Sequence, residues 1–201
     1  AELVPALADR DIEIHVVTPS RGAEQRLEAS RRTIVHRVVV PSGAFPSFFA
    51  EAAQANLSLQ QAGEQIVQSD GPFDLVHTHD WLTSSAAIGL KHKFRLPLVA
   101  TIHATERGRG RGTLHGEQAN RINDAEWWLT YEAWRIICCA KFMADEVHAY
   151  FGTPTDKIDV IPNGVDARPF QGLENACPPE FRSRFALPWE RIVMHVGRIV
   201  A

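Results

Sequence analysis

Phe73-Asp74-Leu75-Val76-His77-Thr78-His79-Asp80-Trp81 sets an apolar run directly before a cluster of polar, titratable side chains. Gly71-Pro72 punctuates its start, and Phe73, Leu75 and Val76 suit a buried strand, so the polar group falls where such a strand ends. In an open parallel sheet, ligands collect outside the carboxyl ends of the strands. The stretch therefore reads as a core strand that delivers side chains to a site. Leu98-Val99-Ala100-Thr101-Ile102 repeats the design and runs into His103, Thr105 and Glu106. Two strands that both end in histidine imply one shared site.

Upstream, Phe48, Ala52, Ala55, Leu59, Ala62 and Ile66 recur at steps of four and three, one apolar helical stripe closed by Asp70-Gly71-Pro72. Before it come strands at 12–17 and 34–40, separated by a polar, arginine-rich stretch, and a helix marked by Leu3, Val4 and Leu7. No strand precedes that helix and residue 1 is alanine, so the sequence is expected to begin inside a strand-helix-strand unit of a longer protein.

Downstream of the opening stretch, a helix over 85–94 has Thr83 or Ser84 as N-cap, and the strand at 98–102 follows. Residues 107–112 alternate arginine and glycine with no apolar side chain, and are expected to form a mobile basic loop. Ile122, Ala125, Leu129 and Ala133 mark one helix face; strands at 136–139 and 157–161 flank a helix over 141–151 ended by Gly152. Strand and helix alternate throughout, which predicts an α/β fold with a doubly wound parallel sheet. From 166 to 189 the chain is proline-rich, with a short helix near 180–185, and 191–196 reads as a fresh strand. The expected organisation is one domain over 1–166, a linker over 167–189, and the start of a second domain at 190.

The bulk properties exclude several classes of function. Of 201 residues, 45% are hydrophobic and 22% charged, which is ordinary for a soluble globular protein. A net charge of −3 gives no electrostatic case for nucleic acid or an anionic membrane. The three cysteines form no C-x-x-C pair and no zinc-like spacing, so reduced thiols and a cytoplasmic location are expected. No apolar run is long enough to span a bilayer.

His77 and His79, two apart on a strand, share a face and could both ligate a metal, with His103 or Asp80 as third ligand of a hydrolase site. A second reading gives Asp80 to the hydroxyls of a sugar and Trp81 to an apolar ring face. A third makes Asp80 a helix cap and Trp81 core. Trp127 and Trp128, inside a helix, are expected in the core. Asn163-Gly164 after a strand is a turn that could border a cleft. Gly197-Arg198 ends the last strand with a residue open to close approach and a guanidinium suited to phosphate.

Five stretches together resemble a known family: 73–81, Thr101-Ile102-His103-Ala104-Thr105-Glu106-Arg107-Gly108-Arg109, Glu126-Trp127-Trp128-Leu129-Thr130-Tyr131-Glu132-Ala133-Trp134, Ile161-Pro162-Asn163-Gly164-Val165-Asp166 and Val196-Gly197-Arg198. In this order they are similar to the signatures of glycogen-synthase-like retaining glycosyltransferases. The resemblance implies a two-domain GT-B fold of Rossmann-like domains, the acceptor mainly on the first and the nucleotide sugar mainly on the second. It implies that His103 lies beside the donor sugar at the reaction centre and that His79, Asp80 and Trp81 line the acceptor side. It further implies that Asn163 and Gly164 face the cleft near the hinge and that Arg198 binds the leaving diphosphate. The reaction so implied moves a hexose, glucose above all, from a nucleotide sugar such as ADP- or UDP-glucose to a glucan or other sugar acceptor, with retention and with no cofactor or bound metal. The family's first glycine-rich loop and its distal donor site are absent from these residues, as is the lysine that usually follows the Gly-Arg pair. Ala140 stands where serine is usual. The 201-residue chain alone is therefore expected to be inactive. A metal-dependent hydrolase, and a non-catalytic carbohydrate-binding protein of the same fold, are the alternatives. Sugar epimerases and phosphorylases share the fold as well.

Overall fold

The computed structural model describes residues 3–20, 22, 26–30, 32–168, 171–172 and 179–194. The chain divides into two units, Ala1–Asn163 and Gly164–Ala201. The first contains α1 (Leu3–Ala8), β1 (Ile14–Ser20), β2 (Arg26–Ser30), β3 (Thr33–Val39), α2 (Phe48–Asp70), β4 (Val76–His79), α3 (Ser84–Phe94) and β5 (Leu98–Ile102). It continues through α4 (Glu106–Arg109), α5 (Gly116–Glu132), β6 (Arg135–Cys138), α6 (Lys141–Phe151) and β7 (Ile158–Val160). Strands β4-β5-β6-β7 form a parallel sheet in that order. A second sheet has the order β1-β3-β2, with β1 parallel and β2 antiparallel to β3.

The α/β class and the parallel strands agree with the sequence. The division into two sheets and the strand β2 do not follow from it. β2 lies in the arginine-rich stretch read as polar connection; it returns on β3 through Arg32, whose φ is 60°. An edge strand in an antiparallel pair needs no apolar run, because one face can stay in water. Between β1 and β4, which share no ladder, lies a cavity of about 170 Å³ lined by His15, Val17, Val76, His77 and side chains of α2 and α3.

The core is centred on β5, whose Leu98, Ala100 and Ile102 are wholly buried against Ile136 and Cys138 of β6, Leu129 of α5, Val147 of α6 and Ile88 of α3. Helix α2 starts at Ser47, whose hydroxyl accepts from Ala50 N at 3.1 Å, and turns Ala52, Asn56, Leu59, Gly63 and Ile66 inward. The stripe expected from sequence holds at Ala52, Leu59 and Ile66, but Phe48 is half exposed and Asn56 and Gly63 complete the buried face. A Cβ on Gly63 would lie 2.7 Å from Leu90, so the missing side chain is what lets α2 and α3 approach. Asn56 satisfies that interface: its amide donates to Ala52 O and Leu82 O, both at 2.7 Å, and its carbonyl accepts from Ala86 N at 2.9 Å. The C-terminal carbonyls of α5 are held by Lys157, which donates to Thr130 O and Tyr131 O, and by Lys91, which donates to Glu132 O and its carboxylate.

The second unit contains α7 (Pro179–Ser183), where Arg182 donates to Leu187 O and Glu190 O. Asp166 pairs with Arg168. The strand expected over 191–196 is described only as far as Met194, and residues 191–194 carry no ladder. Arg198, expected to bind diphosphate, lies outside the described residues. Among the described residues no helix is long and apolar enough to cross a membrane.

Candidate functional site

The carboxyl ends of four neighbouring strands each contribute to one line of polar side chains. His77 and His79 project from the same face of β4, their rings stacked at 4.6 Å between centroids. His79 Nδ1 lies 3.0 Å from Nε2 of His103, which follows β5, and those rings stack at 5.3 Å. His103 Nδ1 is 3.6 Å from Sγ of Cys139, which follows β6. The Cys139 thiol donates to Oδ1 of Asn163, after β7, at 3.3 Å. At the inner end, His77 Nε2 meets the Thr101 hydroxyl at 2.8 Å.

Burial sets the charge state of this line. His77 is pushed down to about 4, first by burial and then by the neighbouring His79 and His103, so it is neutral at physiological pH. Burial and His103 also lower His79, with Asp80 opposing. A neutral His77 offers one ring nitrogen as donor and one as acceptor without net charge.

Asp80 holds the line in place. Its backbone N–H extends the β4–β5 ladder to Thr101 O at 2.9 Å, after which the chain takes φ 54° and turns into a single 3₁₀ turn at Trp81–Thr83. Its Oδ1 accepts the backbone N–H of His103 at 2.8 Å. The carboxylate makes no cap to the following helix, so the capping reading is replaced by one in which Asp80 bridges two strand ends. Thr83 is the N-cap position of α3, but its hydroxyl bonds to Thr78 instead.

Trp81 is 6% exposed and stacks on Phe49 at 5.6 Å with Phe48 edge-on, inside a cluster with Ala52 and Ile122. The expected sugar platform is thus a core side chain. Trp127 and Trp128 depart in the opposite direction: they are 48% and 41% exposed, and Trp127 stacks on Tyr131 at 5.6 Å. The inward face of α5 is taken instead by Ile122, Glu126, Leu129 and Thr130. Leu75, expected in the strand, is exposed, and β4 begins at Val76.

Of residues 107–112, expected as a loop, the first three belong to α4. Thr105 caps α4, its hydroxyl accepting from Gly108 N at 2.9 Å, and Arg107 lies over the Tyr150 ring at 5.3 Å. Both carboxyl oxygens of Glu126 lie 2.9 Å from Glu106 N, and Arg109 is 3.9 Å away. Glu126 is almost wholly buried, and that burial raises its carboxyl to about 7 against the opposing pull of the Glu106 N–H and Arg109. Sequence reasoning passed over this residue; its signal was a carboxylate at i+4 from Ile122 and i−3 from Leu129, on the stripe that should be apolar.

His79, Asp80, His103 and Asn163 are therefore brought to one edge. Gly164 opens the second unit and is exposed. Among the described residues, no third histidine, cysteine or acidic side chain joins His77 and His79 in a metal-sized cluster; the one grouping of that kind is His15, His36 and Asp70.

Residues 1–168 match the profile of Glycosyltransferase Family 4. Over 94 residues the chain is 43% identical to a glycogen synthase of Mycobacterium tuberculosis, covering 47% of this chain and 23% of that protein. Over 215 residues it is 25% identical to a D-inositol 3-phosphate glycosyltransferase of Xylanimonas cellulosilytica, covering 98% and 50% respectively. Sucrose-phosphate synthase from Thermosynechococcus elongatus shares the fold with a TM-score of 0.69 at 16% identity, over 81% of this chain and 41% of that one. The chain spans between about a quarter and half of the length of the curated relatives it matches.

Proposed function

The chain belongs to glycosyltransferase family 4, and from that premise we propose that the whole protein transfers a hexose from a nucleotide sugar to a sugar acceptor with retention of configuration, in the cytoplasm. ADP- or UDP-glucose is the proposed donor and a glucan the proposed acceptor. One observation carries the reading: His79, Asp80, His103 and Asn163 converge at the carboxyl edge of the sheet, the edge where α/β domains bind ligands. In the reaction the bond from the anomeric carbon to the diphosphate breaks, an acceptor oxygen bonds to that carbon, and the acceptor proton leaves with the departing phosphate. His103 is exposed, and Asp80 fixes its backbone; in this proposal it meets the donor sugar while His79 orients its ring. The pull on the diphosphate falls to residues of the second domain, Arg198 among them. One charge-assisted contact supplies about 1.5–3 kcal/mol, against the roughly 8–23 kcal/mol by which enzymes lower barriers. The 201-residue chain by itself is accordingly proposed to be inactive.

The test is nucleoside diphosphate release by the full-length protein across ADP-, UDP- and GDP-sugars with short glucan acceptors, in the presence of EDTA. Acceptor-dependent release that resists the chelator, with the anomeric configuration of the product preserved by NMR, is the expected result. A binding protein without chemistry would release nothing from any donor and would keep its acceptor affinity in His103→Ala.

A further inference from the structure

His15 lines the cavity between β1 and β4 opposite His77, and His36 lies beside it on β3. The β1–β3 ladder sets Val17 opposite His36, so His15, two residues before Val17, shares the face of His36 one pleat away. His15 Nδ1 and His36 Nε2 are 3.2 Å apart. Asp70, the last residue of α2, brings Oδ2 to 3.7 Å from His15 Nδ1, and the three ligand atoms all lie within 4.8 Å of one another. A tetrahedral zinc with bonds of about 2.0–2.1 Å to nitrogen and oxygen holds its ligand atoms about 3.4 Å apart. The two measured edges bracket that spacing.

The surroundings fit a bound cation as well. Metal-bound imidazoles have their second nitrogen on a carboxylate or carbonyl, which fixes the ring. His15 Nε2 faces Glu13 Oε1 at 3.8 Å, and Phe73 packs edge-on against the His15 ring at 5.0 Å. The His15 side chain is 4% exposed and that of Asp70 42%, so the nitrogen ligands are held from within while the carboxylate faces solvent, where an ion enters and water completes the shell. Two imidazoles and one carboxylate form a donor set for zinc and its neighbours rather than for calcium or magnesium.

We propose that His15, His36 and Asp70 bind one divalent transition-metal ion, zinc above all, as a structural clip. The three-stranded sheet shares no ladder with β4–β7 among the described residues, and α2 is the segment that leads from one to the other. A metal at this point ties β1 and β3 to the end of α2, just ahead of β4. None of the three ligands belongs to the row formed by His79, His103, Cys139 and Asn163 at the strand ends.

The test uses the full-length protein, stripped of metal and titrated with Co²⁺ and then Zn²⁺. The expected result is one equivalent of cobalt with the visible absorption of a tetrahedral site, displaced by zinc, and a rise in thermal midpoint on zinc binding. His36→Ala and Asp70→Asn should each weaken binding by at least about tenfold, whereas His79→Ala should leave it unchanged. Asp70→Asn is nearly isosteric at a solvent-facing position, and its circular dichroism serves as the fold control. Absence of stoichiometric binding overturns the proposal and leaves a hydrogen bond between two imidazoles. Binding that survives both substitutions, or that His79→Ala abolishes, overturns it equally.

Discussion

The backbone N–H of His103 donates to Oδ1 of Asp80 at 2.8 Å, so the residue that follows β4 fixes the residue that follows β5. The same Asp80 has φ 54° and ψ −173°, a strained conformation outside the left-handed helical region.

Asp80→Ala therefore removes the acceptor and leaves the strained turn unrelieved. A hydrogen bond to a charged group contributes about 1.5–3 kcal/mol, so urea denaturation should show a loss near 2 kcal/mol and kcat/KM of the full-length enzyme should fall by about tenfold or more. Asp80→Asn keeps an oxygen acceptor and should recover most of both. Equal behaviour of the two variants would deny Asp80 its bracing role.

Glu126 makes stability depend on pH in an unusual sense. Its carboxyl sits at about 7 in the folded protein against an ordinary value near 4.5, so the native state binds the proton more tightly than the unfolded chain. That contribution is fully present below about 4.5, fades as pH rises through 7, and amounts to about 3 kcal/mol. Glu126→Gln keeps a carbonyl for the Glu106 N–H and has nothing to titrate. Denaturation at pH 5 and pH 7.5 should show the wild type losing stability relative to the variant at the higher pH. Parallel pH profiles would show that the carboxyl is not perturbed.

Asn56→Leu tests the polar joint between α2 and α3. The change strands Ala86 N–H and Leu82 O in the interior, and each buried unsatisfied group costs about 1–3 kcal/mol. The midpoint of thermal unfolding should drop by roughly 8 °C or more for a domain of this size. A change of a degree or two would mean that water replaces the amide at no cost.

The two faces of α5 should respond unequally to truncation. Leu129→Ala empties a fully buried position and should cost about 2–5 kcal/mol. Trp127→Ala removes a half-exposed ring whose main partner is Tyr131, and should cost about 1 kcal/mol. Guanidinium denaturation ranks them, and a larger loss from Trp127 would return it to the core.

The convergence at the sheet edge was legible because it rests on short-range features. An apolar strand followed by His-Thr-His-Asp, and a second followed by histidine, place their ends together in any parallel sheet. Side-chain direction was not legible. Trp81 and Trp127 are both aromatic residues next to functional-looking motifs, and only the packing of α2 on the turn at Trp81–Thr83 and of α5 on β5 decides which is buried. Glu126 and Asn56 were missed for a related reason: each is a polar side chain on an inward stripe, and its partners, Glu106 N and the Leu82–Ala86 turn, are 20 or more residues away. The clamp on residues 105–110 was hidden in the same manner, since an arginine-glycine run shows no sign of a carboxylate contributed by another helix.

The line across the strand ends has a direction. The Asn163 oxygen faces the Cys139 sulfur, so the thiol hydrogen points toward the amide and the sulfur turns a lone pair to His103. In the neutral form of both rings, His103 then carries its hydrogen on Nδ1, its Nε2 accepts, and His79 places its own hydrogen on Nδ1. One carboxamide after β7 thereby selects the tautomer of an imidazole three strands away. Turning that amide over would reverse the order of donors along the row and turn the free Nε2 of His79 from acceptor to donor for an incoming hydroxyl.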